Sequence, residues 1–270
     1  MLDSEILAWH IRRDVLDMVH SAHASHIGSA FSIADIVAVL YTYFADVEQL
    51  RNNDKDRTRI ILSKGHAGAA IYAALYRKGL ISEEEIKSYG KDGSNLSCHV
   101  SWHVNGVEIS TGSLGQGVGM AAGIALAGKK AGVNYRTFAI AGDGECNEGS
   151  VWEMIMFARQ QKLNNLTMII DRNGMQALGE TTKILDMGDF KSKFEAFDWN
   201  VKSVDGHNHE QLKAALENPK EITDKPTCII ANTVKGKGVS FMENNNLWHY
   251  RDPQGADYDN AIIELEAQRP

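Results

Sequence analysis

Short runs of β-branched and apolar residues alternate along this chain with longer stretches in which apolar positions recur at helical spacing. "RIILS" (59–63), "RTFAIA" (136–141), "LTMIID" (166–171), "NVKSV" (200–204) and "CIIANT" (228–233) read as buried strands. Helices are expected over 32–45, with Ser32 as N-cap, and over 66–79, 82–90, 115–131, 149–161 and 208–217. Ser82 followed by "EEE" makes a capping box, since the hydroxyl and the third glutamate can each satisfy the other's free backbone amide. The opening segment "MLDSEILAWHIRRDVLDMVHSA" carries the same helical periodicity. Strands alternating with helices in this way predict an α/β fold, a mostly parallel sheet with helices on both faces. No repeat, low-complexity stretch or linker divides the chain, so residues 1–270 are expected to form a single domain. In such sheets ligands bind beyond the carboxyl ends of the strands.

Composition narrows the classes without naming a function. With 270 residues and 43% hydrophobic content, the chain can bury a full core without staples. Cys98, Cys146 and Cys228 are scattered and lack a C-x-x-C pair, which argues against a disulfide framework or a structural zinc site and suits a reducing compartment. A net charge of −7 gives nucleic-acid binding no electrostatic support. The N-terminus carries acids where a signal peptide needs bases, and no apolar run approaches a membrane span. The expectation is a soluble, cytoplasmic protein with neither nucleic-acid nor membrane partners.

"AGDGECNEG" (141–149) sets Asp143 between Gly142 and Gly144, directly after a buried strand. Gly-Asp-Gly is a competent turn in its own right. However, Asn173 in "DRNGMQ" follows at about the length of a βαβ crossover, so both would face one crevice from neighbouring strand ends. Asp and Asn oxygens are hard ligands suited to magnesium or calcium. Asp143, Asn173, a carbonyl near Met175, two diphosphate oxygens and a water would complete an octahedron. The flanking glycines, lacking Cβ, would let backbone amides approach phosphate oxygens, and the helix beginning near 149 would aim its positive end at the anion. Neither G-x-x-x-x-G-K-[ST] nor a dinucleotide G-x-G-x-x-G is present, and H-E-x-x-H and G-x-S-x-G are absent.

"GDGECNEG" with "DRNGMQ" resembles the thiamine-diphosphate motif shared by transketolases, 1-deoxyxylulose-5-phosphate synthases and 2-oxo-acid dehydrogenases. "ASHIGSAFSIADIVAVLY" (24–41), "LSKGHAGAAIYAAL" (62–75), "GVEISTGSLGQGVGMAAGIALAGK" (106–129) and "TVKGKGVSFMENNNLWHY" (233–250) look like transketolase segments in transketolase order. The chain most resembles the N-terminal, diphosphate-binding subunit of a split transketolase, which implies a three-layer thiamine-diphosphate-binding fold. The resemblance assigns His26 to the sugar substrate, His66 to diphosphate and substrate, and His249 to shielding the cofactor and moving protons. Gly112 and Leu114 would lie against the cofactor rings. Gly142, Asp143, Gly144, Glu145 and Asn173 would surround the diphosphate, and Asp143, Asn173 and the Met175 carbonyl would hold Mg2+, for which Ca2+ or Mn2+ could substitute. Glu148 matches an interface acid in a glutamate relay between active sites. The stretch "SCHVSWHVNGVE" departs from the family's His-Pro pair: His99 sits one residue closer to the "GVE" glycine than usual, Val100 replaces proline, and His103 is additional. His99 or His103 would fill the substrate-binding position.

Other residues invite plainer readings. His10, His20, His23, His207 and His209 read as surface or satisfied core residues. Cys146 is incidental to the motif, and Lys235 and Lys237 read as capping a solvated turn rather than neutralising a phosphate. The resemblance further implies that the activating glutamate and most sugar-phosphate contacts belong to a partner subunit carrying the pyrimidine-binding and C-terminal domains, in an α2β2 assembly. The implied reaction transfers a two-carbon ketol unit from a ketose to an aldose, with sugar phosphates as the default substrates and sulfo-sugars or branched sugar phosphates as variants. Two rivals are the α subunit of a 2-oxo-acid dehydrogenase and a catalytically silent regulatory subunit.

Overall fold

The apolar runs form five strands: β1 (Arg59–Leu62), β2 (Thr137–Gly142), β3 (Leu166–Arg172), β4 (Asn200–Asp205) and β5 (Thr227–Asn232). They pair wholly in parallel in the order β1-β2-β3-β5-β4. The computed structural model describes residues 2–217 and 224–270. Four helices precede the sheet: α1 (Asp3–Ala22), α2 (Ile27–Ser32), α3 (Ala34–Tyr43) and α4 (Val47–Arg51). Between β1 and β2 lie α5 (Gly68–Arg77), α6 (Glu83–Ile86) and α7 (Gln116–Ala131). Then come α8 (Gly149–Gln160), α9 (Thr181–Ile184), α10 (Phe190–Ala196), α11 (His209–Leu216) and α12 (Ala256–Ala267).

Strand periodicity splits the core into two layers. Phe138 and Ile140 of β2 face one side with Ile60, Leu62, Ile169 and Ile229, packed under α1, α3, α5, α11 and α12. Ala139 and Ala141 face the other side with Ile61, Met168, Ile170 and Ile230, covered by α7, α8 and α10. All six residues of β2 are buried, as a strand covered on both faces requires. The α/β expectation therefore holds, with helices on each face of the sheet.

The helix expected from Ser32 differs. The helical path breaks at Ile33, so Ser32 ends α2 instead of capping α3. Its hydroxyl turns inward and donates to Asp171 at 2.7 Å, a tertiary bond that overrides its value as a cap. The Ser82 capping box forms as expected, though its helix is short. His207 and His209 prove to be satisfied interior groups: both contact Asp35, which also receives a bidentate bond from Arg12. Burial opposes charge on Asp35, but Arg12 and the two imidazoles hold its carboxyl well below the usual carboxylate range. His207 Nε2 then accepts the Val234 amide, and Arg12 Nε donates to the Lys237 carbonyl, so this cluster fixes the segment that follows β5.

Candidate active site

Four strand ends deliver polar side chains to one place. β1 runs into Ser63, Lys64 and His66; β2 into Asp143; β3 into Asn173; and β5 into Lys235. With His26, His99, His249, Gly112, Leu114 and Met175, all of these but Ser63 line a cleft of about 230 Å³. Gly142 and Asp171 pair in register across β2 and β3, which sets Asp143 and Asn173 side by side as their spacing anticipates.

Asp143 is buried. Oδ1 accepts the Gly144 amide at 2.8 Å, and Oδ2 accepts the Gly174 amide at 2.7 Å. Among the described residues no cationic side chain forms an ion pair with it. Burial, and then the charge of Asp171, push its carboxyl up to about 6. Asn173 donates to Asp171 Oδ2 at 2.7 Å, and its carbonyl oxygen accepts the Met175 amide at 3.0 Å, so its orientation is fixed. The flanking glycines serve otherwise than expected. The Gly142 and Gly144 amides are already engaged by the Glu145 and Asp143 carboxylates, so neither is free for a phosphate. What Gly144 supplies is room: a Cβ there would come within 2.7 Å of the Gln176 side chain. Glu145 lines the cleft, but its carboxylate accepts from Ser63, Gly115 and Gly142, and so braces the loops around the site instead of reaching a ligand.

The histidines cluster. The His26 ring lies 5.0 Å from those of His66 and His249 and 5.8 Å from that of His99. His103 points elsewhere, stacking on exposed Trp102 and contacting Ser101, so the histidine of this loop that faces the cleft is His99. His26 adopts the left-handed conformation (φ 75°), unusual for a residue with a side chain and held here by its amide bonding the His249 carbonyl at 2.8 Å. Burial, reinforced by nearby His99 and the lysines, lowers His26 to about 4, and burial followed by Lys235 lowers His249 to about 3. His66 is also held well below its ordinary value, by burial and then by Lys64. All three are therefore neutral at pH 7, able to donate one proton and accept another. Lys235 donates to His249 Nδ1 at 2.8 Å, which leaves the ring proton on Nε2. Lys64 donates to Ser29 Oγ at 2.9 Å, and the same oxygen is hydrogen-bonded to His66 Nε2 at 3.0 Å.

Gly65 precedes His66 where two loops touch. A Cβ there would lie 2.1 Å from the Thr111 carbonyl oxygen, which is backbone and cannot swing away. Gly65→Ala is expected to destabilise the protein by roughly 1–3 kcal/mol through overpacking. Thermal unfolding of the variant checks this; an unchanged midpoint would show that the loops separate freely.

Lys235 corrects the sequence reading. It does not cap a solvated turn; it is 1% exposed and reaches into the cleft. Among the described residues it has no carboxylate partner within ion-pair distance, and burial, then Lys64, lower it to about 8. Lys64 escapes notice in "SKGHAG", yet it sits in the cleft wall, donating to Asp171 at 2.6 Å. A lysine inside a motif of small residues, directly after a buried strand, is the signal that marks it. Cys146 is fully buried with its Sγ toward the Gly142 carbonyl, a packing role.

Residues 4–261 match the family described as "Transketolase, thiamine diphosphate binding domain". The chain is 36% identical over 94% of its length to a protein from Phocaeicola vulgatus named as a subunit of apulose-4-phosphate transketolase, of which it covers 90%. It is equally 36% identical to a 6-deoxy-6-sulfo-D-fructose transketolase subunit from Clostridium sp., over 96% of this chain and 94% of that one. Among solved structures, transketolase from Campylobacter jejuni superposes with a TM-score of 0.89 at 30% identity, and that from Leishmania mexicana with 0.91 at 28%. This chain spans 43% and 42% of those two chains.

Proposed function

The chain belongs to the transketolase family as its thiamine-diphosphate-binding domain, and from that premise we propose that it supplies the cofactor half of a two-component ketol transferase. The observation that carries this reading is a complementary pair of uncompensated charges in one cleft. Asp143 is a buried anion without a cation, and Lys235 is a buried cation without an anion, among the described residues. A divalent metal bound to a diphosphate answers both, the metal at Asp143 and the anion at Lys235. Asn173, oriented by Asp171, and the Met175 carbonyl would complete the protein's share of a Mg2+ site. Thiamine diphosphate, when bound, supplies the carbanion chemistry by which a two-carbon ketol unit leaves a ketose and joins an aldose.

The chain's own contribution is to bind, orient and manage protons. His249 offers an Nε2–H because Lys235 occupies its Nδ1, and His66 is held in place through its Nε2 by the Ser29 hydroxyl. His26, His66 and His249 present neutral donors and acceptors to a hydroxyl-rich substrate, with His99 beside them in the same cleft. Gly112 and Leu114 form the wall beside them, and a Cβ on Gly112 would come within 3.0 Å of the His99 ring. We further assign residues 1–270 to a single diphosphate-binding domain and Glu148, exposed at the start of α8, to the contact between subunits. The complement would be a chain carrying pyrimidine-binding and C-terminal domains, in an α2β2 assembly. Two relatives of nearly the same length are themselves named as subunits, which supports this division. Free cysteines suit a cytoplasmic setting.

Purification of the native assembly tests the reading. The expected result is a stoichiometric second chain, thiamine diphosphate and magnesium bound together, and ketol transfer within a panel of ketose phosphates, apulose 4-phosphate and 6-deoxy-6-sulfofructose. Turnover of 2-oxo-acids in place of sugars would overturn it in favour of a dehydrogenase subunit.

A further inference from the structure

Outward from the histidines stands one more ring. Tyr250 follows His249 at the end of the 3-10 turn Asn246–His249. Its ring centroid lies 4.7 Å from that of His249 and 6.1 Å from that of His26, edge-on to the first and tilted to the second. The backbone beneath it is pinned: the Tyr250 carbonyl accepts the Ser25 hydroxyl at 3.0 Å, and its amide bonds the Leu247 carbonyl at 3.4 Å. The side chain is nonetheless 60% exposed. Among the described residues its hydroxyl forms no hydrogen bond. A tyrosine buried in a core has its hydroxyl partnered, and this one is not placed in that way. Here a ring on a pinned backbone stands exposed with its hydroxyl unpartnered among the described residues, beside two neutral imidazoles of the cleft.

We infer that Tyr250 is a specificity-determining residue that contacts the outer part of the sugar chain, its ring lying along the sugar's C–H face and its hydroxyl bonding a sugar hydroxyl. The position suits a polyhydroxylated chain, with carbons near the reacting centre facing His26 and His249 and the more distant ones passing Tyr250. Length discrimination follows: an aldose of five carbons reaches the ring, and one of two carbons does not. The inference rests on the ketol-transferase reading above.

The test uses the native assembly, comparing wild type with Tyr250→Phe and Tyr250→Ala, and a five-carbon aldose phosphate with glycolaldehyde as acceptors. Tyr250→Phe removes only the hydroxyl and is expected to raise KM for the five-carbon acceptor by roughly three- to tenfold, the loss of one hydrogen bond. Tyr250→Ala, which also removes the ring, is expected to raise it more than about tenfold. In both variants kcat falls by less than KM rises, while the glycolaldehyde KM and the dissociation constant of thiamine diphosphate stay at their wild-type values. Equal changes for both acceptors, a weakened hold on the partner chain, or no change in either variant would each overturn the assignment while leaving the proposed function standing. Failure of the wild-type assembly to transfer a ketol unit to any acceptor would overturn both.

Discussion

Asp143→Ala is expected to reduce ketol transfer by the assembled enzyme roughly a thousandfold or more, the scale on which a metal's charge acts in such sites. Burial is the reason. Asp143 is shielded from water, and its neighbours offer backbone amides but no ion pair among the described residues. Burial raises its carboxyl, so its charge is held at a cost that a bound cation would relieve. Alanine removes the single carboxylate among the three proposed ligands, and the remaining Asn173 and Met175 oxygens are neutral. The core behind it is complete without the carboxylate, so the variant should remain folded. Calorimetric titration of the variant with magnesium and thiamine diphosphate should show no saturable binding, while its circular dichroism matches wild type. Retained turnover would refute the metal assignment.

The second large effect concerns stability. Lys64 and Asp171 form an ion pair with side-chain exposures of 2% and 0%. Asp171 also accepts from Ser32, Asn173 and Thr233. Burial alone would raise its carboxyl, but the charge and hydrogen bond of Lys64 keep it lowered. Asp171→Ala leaves the Lys64 ammonium buried and unpaired, which costs about 3–5 kcal/mol. For a chain of this size that corresponds to a fall in Tm of about 10 °C. Lys64→Met strands the opposite charge and should cost a similar amount. The double variant Lys64→Met/Asp171→Leu should be more stable than either single one, because no lone charge remains. Chemical denaturation of the three proteins decides the point, and additive losses in the double variant would contradict the pairing.

How much of this is legible in the sequence depends on range. Strand positions are legible because β2, β3 and β5 are covered on both faces, and uninterrupted apolar runs such as "FAIA" and "MII" suit a strand buried in that way. Helix α12 does not emerge from the pattern. It packs through Ala261 and Leu265, with the Leu265 carbonyl receiving the Trp9 indole from the far end of the sequence, and so few buried positions give a weak periodic signal. Motifs locate Asp143, Asn173 and the histidines. They cannot weigh Lys235, because a lysine in the glycine-rich stretch "VKGKG" reads as solvent-facing until β5 is known to carry it beside His249. The choice between His99 and His103 is likewise tertiary. It turns on Val100 and Ser101, whose amides bond the Gly65 carbonyl and the Tyr72 hydroxyl and so direct the loop.

The Glu145 carboxylate joins the loop after β1, the loop entering α7 and the end of β2 through Ser63, Gly115 and Gly142. In hydrogen exchange these segments should open together. The Gly115 and Gly142 amides bond the two oxygens of one carboxylate, so neither can open alone without leaving that buried group short of a donor. The three segments therefore behave as one cooperative unit. Their ordering entropy is lost when the chain folds, before any cofactor arrives, so a ligand entering the cleft meets these three segments already in place.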